Sequence, residues 1–205
     1  EPDAVLVLSN HPGYESGLSV LFCLDKDPLA EIWHGRRHGP NQAKQLFHFE
    51  QTFVLDNIQE KMVELIDGHE HIYFAQGACA DIDDLVFSSL ETLRSAPKQT
   101  KQAPASMVDV REILDEMRLI KSSAEIECMR HAATISVAAH KRAMKYANAD
   151  CKEYHLEAEI HHEFAMQGAK HPAYGTIVGG GENACILHYT ENNQALKSGD
   201  LVLID

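Results

Sequence analysis

The chain has 205 residues, a formal net charge of −13 at pH 7, 44% hydrophobic residues and 24% charged ones. These totals suit a soluble globular protein of one large or two small domains. The acidic balance argues against nucleic acid or an anionic membrane surface as a partner, because both attract clustered Lys and Arg. No apolar run approaches the roughly 20 residues that span a bilayer.

The chain opens on Glu1 rather than Met and shows no basic, apolar, small-residue leader pattern, so a native N-terminus is expected upstream. Five cysteines (Cys23, Cys79, Cys128, Cys151 and Cys185) are widely spaced and odd in number, with no C-x-x-C pair. That pattern indicates neither a zinc knuckle nor a disulfide framework. Free thiols in a reducing cytoplasm are expected.

Residues 4–8 and 18–24 are Val- and Leu-rich runs, expected as neighbouring strands, with a turn at His11-Pro12-Gly13. Residues 30–33 read as a third short segment, and Gly35-Arg36-Arg37 with Gly39-Pro40 reads as a loop. Residues 57–66 are expected as a helix with Ile58, Met62 and Leu65 on one face and Gly68 as its stop. His71 to Phe74 reads as a strand, and 81–93 as a helix with Ile82, Leu85 and Leu90 on one side. Alternating strands and helices imply an α/β layer with a mixed sheet. Residues 96–105 are polar with two prolines and read as a connector, followed by a helix over 108–117.

From Ser122 the character changes. Ser122 and Glu125 form a capping box, and a long helix is expected to about residue 147. Its apolar stripe is read as Ile126, Met129, Ala133, Val137 and Met144. A second helix is expected over 153–167, with Leu156, Ile160 and Phe164 spaced by four and Gly168 as its stop. Both helices are expected to pack on one face of a curved, mainly antiparallel sheet that includes 201–205.

The remaining stretch, 177–205, carries the candidate chemistry. Gly179, Gly180 and Gly181 permit backbone conformations that other residues resist. A short apolar run, 184–187, leads into His188-Tyr189-Thr190-Glu191-Asn192. A turn at Ser198-Gly199-Asp200 precedes an apolar strand, 201–204, that delivers Asp205 at its tip. Such a strand is a rigid mount for a metal ligand or catalytic carboxylate. Thirteen histidines invite metal-site readings, yet most fail on spacing. His161-His162-Glu163 lacks the second His that H-E-x-x-H requires, since position 166 is Met166. His155, His161 and His162 are therefore read as surface or packing residues, and His140 as a satisfied core histidine. The three glycines are no phosphate loop, because no Gly-Lys-Ser/Thr follows. For His188 the residues alone leave function and packing equally open.

The segments GGGENACILHYTEN (179–192) and GDLVLID (199–205) resemble the proline-specific aminopeptidases, the aminopeptidase P or Xaa-Pro aminopeptidase family of pita-bread metallopeptidases. AEIWHGRRHG (30–39), APASMVDVREILDEMRLIKS (103–122), EYHLEAEIHHEF (153–164) and GAKHPAYGTIVGGGEN (168–183) look like matching segments, so the resemblance covers nearly the whole chain. It implies an α/β creatinase-like N-terminal domain over 1–117, with a mixed sheet and flanking helices, and the start of an α+β pita-bread catalytic domain over 118–205. In the family, sequence continues before the segment matching Glu1 and beyond Asp205, so the chain reads as an interior piece of a longer enzyme.

The resemblance also implies a chemistry. Two divalent ions, manganese as a rule, are bridged by a hydroxide that attacks the scissile carbonyl. Two Asp, two Glu and one His bind them, and Asp205 matches the first carboxylate. His188 matches a residue that binds no metal and donates a hydrogen bond to the substrate or developing oxyanion. Tyr174 matches a residue lining the pocket for the substrate's first side chain, beside the plainer reading of a packing aromatic. Trp33 is either a core or interface aromatic or a wall of the substrate site, set against a neighbouring subunit. Arg36 and Arg37 read as a solvated pair and are left unassigned. The implied protein is a cytoplasmic homo-oligomer, dimer or tetramer, that removes the first residue from peptides with proline second. With one ligand of five, the 205 residues alone are expected to be inactive. A prolidase restricted to Xaa-Pro dipeptides and a catalytically inactive pita-bread protein binding peptides or partners remain the alternatives.

Overall fold

In the computed structural model, residues 3–10, 13–96 and 100–205 are described, and they divide into two compact units, Glu1–Met117 and Arg118–Asp205. The expected turn at 11–13 falls largely outside the described residues.

The first unit is built on β1 (Val5–Ser9), β2 (Leu18–Cys23) and β3 (Gln51–Val54), in the order β1-β2-β3. β1 runs antiparallel to β2, with Val7 opposite Val20, and β3 runs parallel to β2, with Phe53 opposite Phe22. β2 is apolar nearly throughout because both of its faces are covered, and Val20, Phe22 and Cys23 are fully buried. β1 alternates instead, with Val5 and Val7 packed on that core and Leu6 and Leu8 exposed.

The crossover from β2 to β3 is helical, which differs from the reading of 30–40. Residues 30–33 lie inside α1 (Pro28–His34), and Gly39-Pro40 opens α2 (Gly39–Phe47) rather than a loop. The local reason is visible in Asp27, whose Oδ1 accepts the amides of Leu29 at 2.9 Å and Ala30 at 3.1 Å. Pro28 and Pro40 each sit in a first turn, where a missing N–H costs nothing.

A 3₁₀ turn, Leu55–Asn57, leads into α3 (Ile58–Ile66), which buries Met62 and Ile66. These residues join Phe74 of β4 (His71–Phe74) and Leu85, Val86, Leu90 and Leu93 of α4 (Ala80–Arg94) in one apolar cluster. The helix expected over 108–117 begins later. Residues 106–109 form β5 (Ser106–Asp109), parallel to β4 with Val108 opposite Tyr73, and α5 (Val110–Leu119) follows. Three of the connector residues, 97–99, lie outside the described residues. The rest is tied down as a lead-in to β5: Gln102 N–H donates to Asp67 Oδ1 at 2.8 Å and Ala105 N–H to Glu70 O at 3.0 Å.

The second unit opens with the capping box. Ser122 Oγ accepts the Glu125 amide at 3.3 Å, and Glu125 Oε2 accepts the Ser122 amide at 2.7 Å. The carboxyl of Glu125 is held below the usual glutamate value by those Ser122 hydrogen bonds. α6 (Ser123–Tyr146) then packs on α7 (Glu153–Met166). The buried face of α6 is Ile135, Ala139 and Ala143, and the two alanines pack against Ile160 of α7. This corrects the stripe read from the sequence: Ile126, Met129, Ala133, Val137 and Met144 are exposed, Met144 by 72%. Two alanines one turn apart let the helix backbones approach closely, and that proximity outweighs the larger side chains on the opposite face.

β6 (Val178–Gly180) and β7 (Val202–Ile204) pair antiparallel, with Gly179 opposite Leu203. Cys151, Leu156, Val178 and Leu196 form the cluster beneath them, closed by Val202 and Ile204. Among the described residues, no helix is long and apolar enough to cross a membrane.

Candidate functional site

The site is built where β6, β7 and the chain between them meet the start of α7. Gly179 makes the first tight approach: a Cβ there would stand 2.9 Å from the backbone C and O of Asn183. Gly181 follows with φ +56°, a conformation that side chains disfavour. The chain can therefore double back at once into the 3₁₀ turn Gly181–Cys185.

Beneath this turn sits Glu153, the first residue of α7, with no exposed surface. Its Oε1 accepts Gly180 N–H at 2.8 Å and Asn183 Nδ2 at 3.0 Å. Its Oε2 accepts Tyr189 Oη at 2.7 Å and Gln194 N–H at 2.9 Å. Burial pushes this carboxyl up, but the four donors together hold it below the ordinary glutamate value. The buried Tyr189 phenol is pushed up by desolvation and by its bond to Glu153. A second anchor is Asn192, 3% exposed and at φ +45°. Its Oδ1 accepts Val178 N–H at 2.9 Å, and its Nδ2 donates to Thr176 O at 2.9 Å and Glu157 Oε2 at 3.0 Å.

Asp205 extends the β6–β7 ladder by one step, exchanging backbone hydrogen bonds of 2.7 and 2.9 Å with Ile177. Its exposed carboxylate accepts the Tyr174 phenol at 2.5 Å. That contact, and the charge behind it, raise the tyrosine pKa. Tyr174 and Asp205 line a cleft of about 380 Å³ together with His140, Phe164, Pro172 and Ile204. His140 Nδ1 lies 2.9 Å from Ser136 O, and His161 Nε2 lies 2.6 Å from Thr176 Oγ1 with its ring stacked on Phe164.

Of the residues singled out in the sequence, the structure joins Tyr174 and Asp205 directly. His188 is exposed and hydrogen-bonds to neither. The apolar run before it is no shielded strand: Ile186 and Leu187 are open to solvent, Leu187 by 89%. The 3₁₀ turn lifts them off the core, and the residue that turns inward is Tyr189. Trp33 belongs to the first unit, on α1, and is 82% exposed. Glu153 and Asn192 were not singled out. An acidic residue in a first turn resembles ordinary helix-dipole chemistry, so Glu153 carries no local mark of its burial. Asn192, at the end of HYTEN, was quoted only as part of the motif. Among the described residues, no three His, Cys, Asp or Glu side chains are grouped so as to hold a metal ion. Asp205 is a single carboxylate, with at most two oxygen donors, and hard divalent cations take six or more, so the described residues do not by themselves fit a metal.

Residues 1–73 match the family profile of the aminopeptidase P N-terminal domain, and residues 127–205 match that of metallopeptidase family M24. Along both units the chain thus resembles the aminopeptidase P family. It is 47% identical over all 205 residues to the Xaa-Pro aminopeptidase of Escherichia coli, and spans 46% of that protein. It is 36% identical to the Xaa-Pro aminopeptidase of Haemophilus influenzae, spanning 45% of it, and 30% identical over 207 aligned residues to human Xaa-Pro aminopeptidase 3, spanning 40%. The chain thus covers less than half the length of these relatives. Among solved structures, aminopeptidase P from E. coli in a low-pH form superposes with a TM-score of 0.95, at 47% identity, over 100% of this chain and 46% of the other. The zinc-substituted E. coli enzyme in complex with product gives a TM-score of 0.94 over the same share of each chain. These matches agree with an α/β N-terminal domain followed by the start of a pita-bread domain.

Proposed function

We propose that these residues are part of a metal-dependent aminopeptidase that removes the N-terminal residue from peptides with proline in second position. The observation that carries the reading is Asp205: an exposed carboxylate at the tip of a paired strand, aimed by Tyr174 and ion-paired with no cationic side chain among the described residues. In this reading Asp205 is a ligand to one of two divalent ions, with manganese as the native metal and the other donors supplied from outside these 205 residues. Tyr174 orients that carboxylate and lines the pocket for the first side chain of the substrate. The exposed His188 N–H donates to the substrate carbonyl oxygen, more strongly as negative charge develops there. Trp33, with its large free face, forms a wall of the substrate site of a neighbouring subunit in a homo-oligomer. The unit boundary at 117/118 is the boundary between the N-terminal and catalytic domains, and the enzyme acts in the cytoplasm.

The test is made in the full-length protein, by comparing His188→Ala with Asp205→Ala. His188→Ala should keep its metal after dialysis and lose about 10²–10³ in kcat on an Xaa-Pro-Xaa tripeptide. Asp205→Ala should lose metal and activity together. A His188→Ala protein that keeps both metal and full rate, or that loses its metal while Asp205→Ala keeps it, overturns the assignment. Turnover of Xaa-Pro dipeptides alone would make the enzyme a prolidase.

A further inference from the structure

We infer that Glu153 is a positioning residue for His188, one that holds the 180–194 segment in the single conformation that presents the imidazole. The inference rests on the catalytic reading of His188 given above. Its own basis is geometric. An ionised carboxylate offers lone pairs only, about four sites in all, and Glu153 fills them with four donors from four places along the segment. Asn183 Nδ2 also reaches Tyr189 Oη at 3.1 Å, so residues 183 and 189 are tied to each other as well as to Glu153. His188 lies in the span between these two anchors, one peptide bond from Tyr189. Asn192 secures the far side of the segment to β6 and α7. His188 is not held in a packed core, since Ile186, Leu187 and His188 are all exposed among the described residues. Its position is therefore inherited from the anchors.

A plain fold staple would not need this arrangement. No Lys or Arg pairs with Glu153 among the described residues, so the carboxylate forgoes hydration in exchange for neutral donors alone. Replacing buried charge by a well-packed apolar side chain is often neutral or stabilising. An apolar side chain cannot collect two backbone amides, a side-chain amide and a phenol at one point.

The test is a kinetic double-mutant cycle in the full-length protein, with an Xaa-Pro-Xaa tripeptide as substrate. Glu153→Gln keeps the shape but turns one oxygen into a donor, which faces at least one backbone N–H that cannot turn away. Misplacing a reacting group by about an ångström costs on the order of 10²-fold, so kcat should fall by about 10²-fold, with KM and metal content nearly unchanged. In a His188→Ala background the same substitution should cost less than about threefold, because residues acting as a unit are not additive. The full 10²-fold loss in that background overturns the inference while leaving the role of His188 standing. So does a Glu153→Gln enzyme within threefold of wild type. If His188→Ala is itself fully active, the catalytic reading and the inference fall together. Should Glu153→Gln not fold, Tyr189→Phe removes one donor and keeps the carboxylate: a loss near tenfold that vanishes in the His188→Ala background supports the inference, and an equal loss in both backgrounds overturns it. Amide exchange at Gly180 and Gln194, slow in wild type and fast in Glu153→Gln, reads the clamp independently of turnover.

Discussion

Replacing Asn192 by alanine should destabilise the second unit by about 2–5 kcal/mol, and the figure follows from three contacts and one dihedral angle. The side-chain oxygen of Asn192 is the acceptor for Val178 N–H, and Val178 has no exposed surface. A buried donor left without a partner costs about 1–3 kcal/mol. The two bonds from Nδ2 run to Thr176 O and Glu157 Oε2, which belong to half-buried residues and can be rehydrated, so their loss adds little. The backbone adds the rest. At φ +45°, asparagine is among the few non-glycine residues that sit without much strain, and alanine there costs about 1–2 kcal/mol. Asn192→Gly separates the two effects, since it removes the same side chain and relieves the dihedral. It should be about 1 kcal/mol less damaging than Asn192→Ala. Native-state hydrogen exchange at the Val178 and Gly180 amides is the assay, because it reads the local opening free energy. An Asn192→Ala protein within about 0.5 kcal/mol of wild type would refute the anchoring role. Equal damage from glycine and alanine would refute the conformational part alone.

Leu156→Ala removes a fully buried side chain from the cluster under β6 and should cost about 2–5 kcal/mol; Met144→Ala, on the exposed face of α6, should stay within about 0.5 kcal/mol. Denaturant midpoints of the 205-residue protein compare the two, and a similar loss at both positions would mean that the Met144 face is covered in solution. Asp109 is held at about 2, against an ordinary 3.8, chiefly by the Arg111 guanidinium and then by the Arg111 amide. Its contribution to stability is therefore present above 3.8 and lost as pH falls toward 2. A carboxyl titration by NMR should show that midpoint move up toward the ordinary value in Arg111→Gln.

How much of this was legible beforehand depended on range. The helices α3, α4 and α7 were located within about two residues at either end, since their apolar spacing is local. The capping box at Ser122 was readable for the same reason, as both hydrogen bonds close within three residues. α1 and α2 are as local, with Asp27-Pro28 and Pro40 in plain view, but Gly35 and Gly39-Pro40 also read as loop residues, and that reading hid both helices. The strands β3 and β5 are another matter. Each has four residues, and each is a strand because it lies against a partner some thirty residues earlier: Phe53 beside Phe22 and Val108 beside Tyr73. Val108 read as helical because nothing within its own window opposed it.

The sequence by itself determined the family resemblance, the position of the Gly-rich turn and the strand that ends on Asp205, because these reside in contiguous motifs. Tertiary structure alone decided which face of α6 is buried, since Ala139 and Ala143 pack against Ile160 of α7 while the larger Val137 and Met144 face outward. It alone decided that Tyr174 meets Asp205 across 31 positions and that Glu153 gathers donors 27 to 41 positions away. A hydrogen bond of that span leaves no periodic trace in the sequence, because its two ends are brought together only when the intervening helix and turns have packed.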